Sequence, residues 1–269
     1  MTEGQICAEA EALDNAERSR QQMRQTTEVY PEATIDDAYA IQAHWQQLRL
    51  DRGELLIGHK IGLTSRAMQT AMQITTPDSG FITDAMNYTS SSGPATIEAY
   101  HHLDLKLEVE LAFVLNAHLD SEEVELSDVI AATEYVIPAV ELIAARTYRA
   151  DPATGRRRTV VDTIADNAAN AGIITGGLAV GPEEVDLRWV GALLERNGEI
   201  EETGLAAAVL NHPANGIVWL ARRYAQQGMV LNAGDIVLAG SFTRPVDCRA
   251  GDSFRVDYGP LGLLEVEVI

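Results

Sequence analysis

Leu105-Lys106-Leu107-Glu108-Val109-Glu110-Leu111-Ala112-Phe113-Val114-Leu115 reads as a β-strand made for burial, yet it carries two glutamates two residues apart. Side chains alternate across a strand, so Glu108 and Glu110 share one face while Leu107, Val109, Leu111 and Phe113 occupy the other. Neighbouring anions that lose hydration repel each other, and such a pair requires either protonation or a cation. Glu141, in Ile137-Pro138-Ala139-Val140-Glu141-Leu142-Ile143, offers a third carboxylate in a similar apolar context. Three oxygen ligands suit a hard divalent ion such as Mg²⁺ or Mn²⁺, which keeps positions open for water or a chelating substrate. The competing reading is the wet face of an edge strand. Ala112 and Val114 continue the glutamate face and make it only partly polar.

Working outward, the 269 residues suffice for one large domain, or one core with a small appended lobe, and 46% hydrophobic content is that of an ordinary globule. A formal charge of −20, with 40 acidic against 20 basic residues, argues against a nucleic-acid or anionic-membrane surface. Cys7 and Cys248 lie at opposite ends with no metal or redox spacing, which points to a reducing cytoplasm. No apolar run reaches the roughly 18 to 20 residues of a membrane span, and the polar, acidic first twenty residues lack the pattern of a secretory signal. Asn87-Tyr88-Thr89 is a glycosylation sequon with no meaning in an unexported chain. Only Lys60 and Lys106 are lysines, so each invites a specific explanation.

Residues 5–28 read as helix, and Thr34-Ile35-Asp36-Asp37 resembles a capping box opening a second helix with Ile41, Trp45 and Leu48 on one stripe, closed by Gly53. Residues 55–63 suit a glycine-punctuated strand, so Lys60 sits in a buried-looking setting that calls for an anionic partner or a depressed pKa. Thr64-Ser65 can cap a helix carrying Met68 and Met72, and a further helix is expected from Ser127 to about Tyr135. A glycine-rich strand is expected over residues 171–177, a hairpin turn at Asn197-Gly198, and a helix over residues 213–227 with Ile217, Leu220, Ala221 and Tyr224 inward. Ala233-Gly234-Asp235 and Ala250-Gly251-Asp252 each precede a strand. The fold class is α+β, with a mainly helical lobe over residues 1–70 and a strand-dominated region over 71–269.

No Gly-x-Gly-x-x-Gly, Walker loop, His-Glu-x-x-His or Gly-x-Ser-x-Gly occurs, which removes the nucleotide, zinc-protease and serine-hydrolase readings. Longer blocks carry a resemblance: Gly58-His59-Lys60-Ile61-Gly62-Leu63-Thr64-Ser65, Glu108-Val109-Glu110-Leu111-Ala112-Phe113, Glu141-Leu142-Ile143, residues 162–172, Asn211-His212-Pro213-Ala214-Asn215-Gly216 and Gly240-Ser241-Phe242-Thr243-Arg244-Pro245. From about Thr34 onward the chain resembles the hydratase/decarboxylase family of the fumarylacetoacetate hydrolase superfamily.

That resemblance implies a mixed β-roll core and a Mg²⁺- or Mn²⁺-dependent lyase, with Glu108, Glu110 and Glu141 at the metal. It implies a 2-oxo dicarboxylic acid substrate whose 1-carboxylate and 2-oxygen chelate the ion, with water adding at C4. Lys60 and Asp78 match the family's acid/base pair. A structural ion pair for Lys60, and plain turn chemistry for Pro77-Asp78-Ser79-Gly80, remain open. Ser241 and Thr243 could donate to the substrate carboxylate or cap their turn. A distal carboxylate needs a cation, from Arg146 or the Arg156–Arg158 loop. Lys106 stands where the family has arginine. The expected reaction is hydration of 2-oxohept-4-ene-1,7-dioate in aromatic meta-cleavage catabolism, by a cytoplasmic homo-oligomer, pentamer-based or decameric. The alternatives are a 4-oxalocrotonate-type decarboxylase, a 2-hydroxypenta-2,4-dienoate hydratase, a C–C bond hydrolase of the wider superfamily, and a non-catalytic protein whose acidic cluster binds a structural cation.

Overall fold

The computed structural model describes residues 1–65, 69–70 and 74–269. Met68 and Met72, expected on a helix after Ser65, lie outside these residues.

Helix α1 (Glu3–Ser19) starts at a Thr2–Gln5 capping box and stops at Arg20, whose φ of 57° is left-handed. It does not continue to residue 28: Met23 bridges to Thr147, and a separate turn α2 (Thr26–Val29) follows. Helix α3 (Ile35–Asp51) opens on the expected box, Thr34 with Asp37, and packs along α1. Ile41 and Trp45 are fully buried, and Gly53 takes the positive φ that turns the chain away.

Two sheets follow. The larger has the order β2 (Asp78–Thr83), β1 (Leu56–Gly62), β9 (Ile236–Leu238), β4 (Lys106–Leu115), β5 (Thr133–Ile143) and β6 (Asn170–Thr175), with β10 (Val246–Asp247) sharing the β9 edge of β4. The smaller has the order β3 (Ala95–Ile97), β12 (Leu263–Val268), β11 (Ser253–Asp257), β7 (Gly191–Arg196) and β8 (Glu199–Leu205), the last two joined at Asn197-Gly198. Because β1 pairs with both β2 and β9, the larger sheet runs across residue 70, the boundary expected between the two regions. Short helices α4 (Leu126–Ala131) and α5 (Val160–Ala165) and the longer α6 (Ala214–Gln226) complete the order among described residues. Helix α4 ends before Tyr135, because Thr133 already pairs with Leu115 at the start of β5. On α6, Ile217, Leu220 and Ala221 are buried and Tyr224 is partly so.

The two faces of β4 have different fates. Leu107, Val109, Leu111 and Phe113 join Phe254, Val256, Leu264 and Val266 in the core between the sheets. Ala112, with Ala139 of β5 and Leu238 of β9, packs under Leu13, Ile41, Trp45 and Ile164 from α1, α3 and α5. The helical lobe therefore roofs the glutamate face, and β4 is interior rather than an edge. That excludes the wet-face reading of Glu110 and Glu141, which are 1% and 0% exposed.

Candidate metal centre and its cavity

Antiparallel pairing of β4 with β5 sets Glu108 directly opposite Glu141 and Glu110 opposite Ala139. Opposed residues share a face. One carboxylate oxygen from each of Glu108, Glu110 and Glu141 lies within 4.8 Å of the others. Glu110 Oε2 accepts the Gly240 N–H at 2.8 Å, and Glu141 Oε1 accepts Asn170 Nδ2 at 2.8 Å and pairs with Lys60 Nζ at 3.2 Å. Glu110 Oε1 and Glu141 Oε2 are buried without any hydrogen-bond partner. Buried carboxylate oxygens are costly unless a donor or a cation meets them. Burial, reinforced by Glu141, lifts the Glu108 pKa to about 7; burial, with Glu141 and Glu108, holds Glu110 well above the carboxylate range. An oxygen-only, partly orphaned set of this kind fits a hard divalent cation.

Lys60 and Asp78 occupy adjacent strands beside the cluster. Burial pulls the Lys60 ammonium towards deprotonation, but Glu141, Asp78, Glu108 and Glu110 outweigh it and hold its pKa above the ordinary lysine value. Asp78 is buried, its Oδ1 has no hydrogen-bond partner, and burial raises its pKa against the pull of Lys60. Both groups crowd the space over Gly62, which pairs with Asp78 across β1 and β2. A Cβ at Gly62 would lie 2.3 Å from Asp78 Oδ1 and 3.0 Å from Lys60 Nζ, so a side chain there would displace the Asp78 carboxyl.

The segment between β9 and β10 runs beside Val109 and Glu110 of β4. Ala239 N donates to Leu111 O and Phe242 N to Val109 O, which fixes the Gly240–Thr243 turn against the glutamates. Gly240 has φ +118°, and a side chain there would strike Thr64. Ser241 Oγ donates to Val109 O and Thr243 O, while Thr243 Oγ1 accepts from Val109 N. The two hydroxyls therefore cap the turn, and both residues also line the cavity.

That cavity, about 470 Å³, is walled by Lys60, Asp78, Glu108, Ser241, Thr243 and the guanidinium-bearing residues Arg149, Arg158 and Arg244. A larger apolar groove of about 990 Å³ shares Thr203, Ala208 and Phe242 with it but has no counterpart of the acidic cluster. Arg146 is not brought to the cavity, correcting the expectation that it faces substrate. Its Nε donates to Asp166 Oδ1 at 2.5 Å, Nη2 to Asp166 O, and Nη1 to Asn170 O, while its guanidinium lies over Trp45. Arg158, from the alternative loop, does line the cavity. Sequence reasoning missed Arg149 as a wall residue and Asn170 as a donor to Glu141; Asn170 stands in a quoted block, whereas nothing in its own context marks Arg149. His59 turns from the cluster to Tyr224, 2.9 Å from Nδ1, and Lys106 pairs with Asp247.

Comparison with known proteins agrees with this architecture. Residues 39–269 match the family described as Fumarylacetoacetate (FAA) hydrolase C-terminal. A 2-oxo-hept-4-ene-1,7-dioate hydratase of Escherichia coli is 52% identical over 260 residues, covering 97% of this chain and 96% of that protein. A 4-oxalocrotonate decarboxylase of Pseudomonas putida is 36% identical over 267 residues, covering 98% and 97%. The solved 4-oxalocrotonate decarboxylase of Pseudomonas putida G7, complexed with magnesium and adipate, superposes with a TM-score of 0.93 at 35% identity, covering 100% of this chain and 99% of that one. With the metal-ready acidic cluster set in a two-sheet α+β core, these matches show that the chain belongs to the fumarylacetoacetate hydrolase family.

Proposed function

We propose that the protein is a divalent-metal-dependent hydro-lyase that converts 2-oxohept-4-ene-1,7-dioate to 4-hydroxy-2-oxoheptane-1,7-dioate in aromatic meta-cleavage catabolism. The observation that carries this reading is the Glu108–Glu110–Glu141 cluster, with Glu110 and Glu141 buried, two of their oxygens orphaned, and Glu108 opening on a cavity that also presents Lys60 and Asp78. The 52% identity to the Escherichia coli hydratase favours hydration over the related chemistries.

Glu108, Glu110 and Glu141 would hold Mg²⁺, with Mn²⁺ the other candidate. Bound there, the cation supplies Lewis-acid polarisation of a chelating 2-oxo acid. The chain's own residues move the protons. Asp78, with its unpartnered Oδ1, takes a proton from C3, and the Lys60 ammonium returns one at C5, which brings the double bond into conjugation with the 2-oxo group. The proton on Asp78 then passes to the neutral Lys60 amine, which resets the pair; Asp78 accepts a proton from the water whose oxygen bonds to C4, Lys60 gives a proton to C3, and a second Asp78-to-Lys60 transfer restores both groups. The sum is one water added and no net proton change. Ser241 and Thr243 hold the Gly240 N–H on Glu110 and present their edge to the substrate's carboxylate end. The reading includes a cytoplasmic homo-oligomer, pentamer-based or decameric, which sedimentation measures directly.

The test is turnover in ¹⁸O-labelled water with and without Mg²⁺. The expected result is metal-dependent loss of dienol absorbance with one labelled oxygen in the product. Release of CO₂ instead would establish the decarboxylase reading, which the decarboxylase relatives at 35–36% identity support. Retention of full activity by Glu108→Gln without metal would overturn the ligand assignment.

A further inference from the structure

The strand-to-helix connection from Ile143 to α5 contains a small pin. Ala150 bridges Arg157, Arg158 N donates to Arg149 O at 3.0 Å, and Asp151 Oδ1 closes the tip by accepting from Ala153 N, Thr154 N and Thr154 Oγ1. The pin holds Arg149 and Arg158 side by side in the wall of the acidic cavity. Two adjacent cations repel, and the pair is short of counter-charge. Arg149 is engaged by Asp104, but Arg158 has only a 3.8 Å ion pair with Asp166, a carboxylate already held by Arg146 at 2.5 Å. The Arg158 side chain is 11% exposed, and its Nη1, the atom that faces Asp166 at 3.8 Å, is too far to donate a hydrogen bond. Burial, with Arg149 beside it, pulls the Arg158 pKa down to about 10. Arg158 thus lines the cavity with a single long ion pair for a whole guanidinium, and a carboxylate arriving from the cavity would give its planar fork the charge-assisted bonds that Asp166 does not.

The other candidate cation in the wall is Arg244. Its side chain is 83% exposed and already bonded to Glu202 at 2.6 Å, so an anion there would gain little over water.

We infer that Arg149 and Arg158 form the subsite for the distal carboxylate of the substrate, and that this pair selects dicarboxylic 2-oxo acids over monocarboxylic ones. The inference rests on the proposed reading for the near end of the substrate, where the 2-oxo acid group meets the glutamates. It adds the far end: Glu108 of the acidic cluster and both arginines of the pin line the same cavity. In a chain of net charge −20, such a spot also draws a dianion to a place that most of the surface repels.

Binding of saturated analogues tests this without turnover. Calorimetry of the Mg²⁺-loaded protein compares 2-oxoheptanedioate with 2-oxoheptanoate, which differ only in the distal carboxylate. The wild type is expected to prefer the diacid by about 10- to 100-fold, the worth of charge-assisted hydrogen bonds to a fixed guanidinium. Arg158→Leu should bring that ratio close to one. Arg158→Lys should leave it intermediate, since an ammonium cannot present the planar fork. If Arg158→Leu fails to fold, Arg149→Gln and Arg158→Lys read the same ratio. A wild-type ratio near one, or a ratio unchanged in every folded variant, overturns the inference. An intact, variant-sensitive ratio in a protein that adds no water would overturn the hydration reading and leave the subsite standing.

Discussion

Gly62→Ala is the most diagnostic single change, because its local and catalytic effects run in opposite directions to what strand propensity expects. Alanine normally outperforms glycine within a strand by roughly 0.5–1 kcal/mol, and the backbone at Gly62 does not have the positive φ that would forbid a side chain. The obstacle is steric. The new methyl would stand 2.3 Å from Asp78 Oδ1, against an ordinary contact of about 3.5 Å, so the carboxyl must retreat by roughly 1 Å. The strand cannot simply yield, since Gly62 and Asp78 are paired across β1 and β2 and β1 is held on its other edge by β9. Overpacking of this kind costs about 1–3 kcal/mol of stability. A 1 Å displacement of an acid/base group costs about 100-fold in rate, or about 2.7 kcal/mol in the barrier. The assay is kcat at saturating Mg²⁺ alongside a thermal melt, with Asp78→Asn as the reference. A Gly62→Ala enzyme within twofold of wild type, beside an inactive Asp78→Asn, would refute the crowding argument. Full turnover by both variants would refute the role of Asp78.

Four further outcomes follow from the same geometry. Because burial and mutual repulsion raise Glu108 to about 7 and hold Glu110 well above the ordinary carboxylate range in the metal-free chain, cation binding should expel protons; apparent Mg²⁺ affinity should rise with pH through about 7, with proton release visible as buffer-dependent heats in calorimetry. Lys60→Ala should lose at least about 100-fold in turnover while equilibrium dialysis shows Mg²⁺ binding no weaker than wild type, because only the ammonium facing Glu141 has gone. Arg146→Met should cost about 3–5 kcal/mol by leaving buried Asp166 with only the long 3.8 Å pair to Arg158, and Arg146→Met with Asp166→Leu should cost less than the single change in urea titrations. Mg²⁺ at about 100 times its dissociation constant should stabilise the fold by about 2.7 kcal/mol, a gain that Glu141→Gln should largely abolish in chemical denaturation.

The strand and its glutamate pair were legible because alternation is local, and Glu141 because it repeats the same apolar context. Their union was not: the register that sets Glu141 opposite Glu108 depends on pairing between segments some thirty residues apart. Nor could the dryness of the glutamate face be read from β4, since the roof comes from α1 and α3. Residues 20–25, Arg-Gln-Gln-Met-Arg-Gln, are good helix formers with no glycine or proline, so the break at Arg20 left no local mark. It is imposed from outside: Gln22 Nε2 donates to Ala145 O, and Gln25 Nε2 donates to Tyr148 O and Arg156 O, bonds that a continuous helix would forfeit. Arg146 misled for a related reason. Nearness to Glu141 in sequence suggested the cavity, but only the fold brings Asp166 beneath it.

The helical roof and the acidic cluster explain each other. With Asp78, the three glutamates and Lys60 all ionised, these five groups would carry three more negative charges than positive ones, which Arg149 and Arg158 in the cavity wall offset only in part and the interior sustains poorly. Without the roof those charges would be hydrated, and a cation would have to compete with water for weakly organised ligands. On the proposed reading, enclosure would turn the repulsion into affinity, since a divalent ion would relieve the same crowding that raises the pKa of Glu108 and Glu110. The donor set then decides which ion: no cysteine or histidine joins the cluster among the described residues, so soft and borderline metals gain none of the ligands they prefer. A lobe well before the glutamates in sequence therefore sets how enclosed they are. Opening the α1–α3 packing, for example at Leu13 or Trp45, should weaken the cation before it touches the strands themselves.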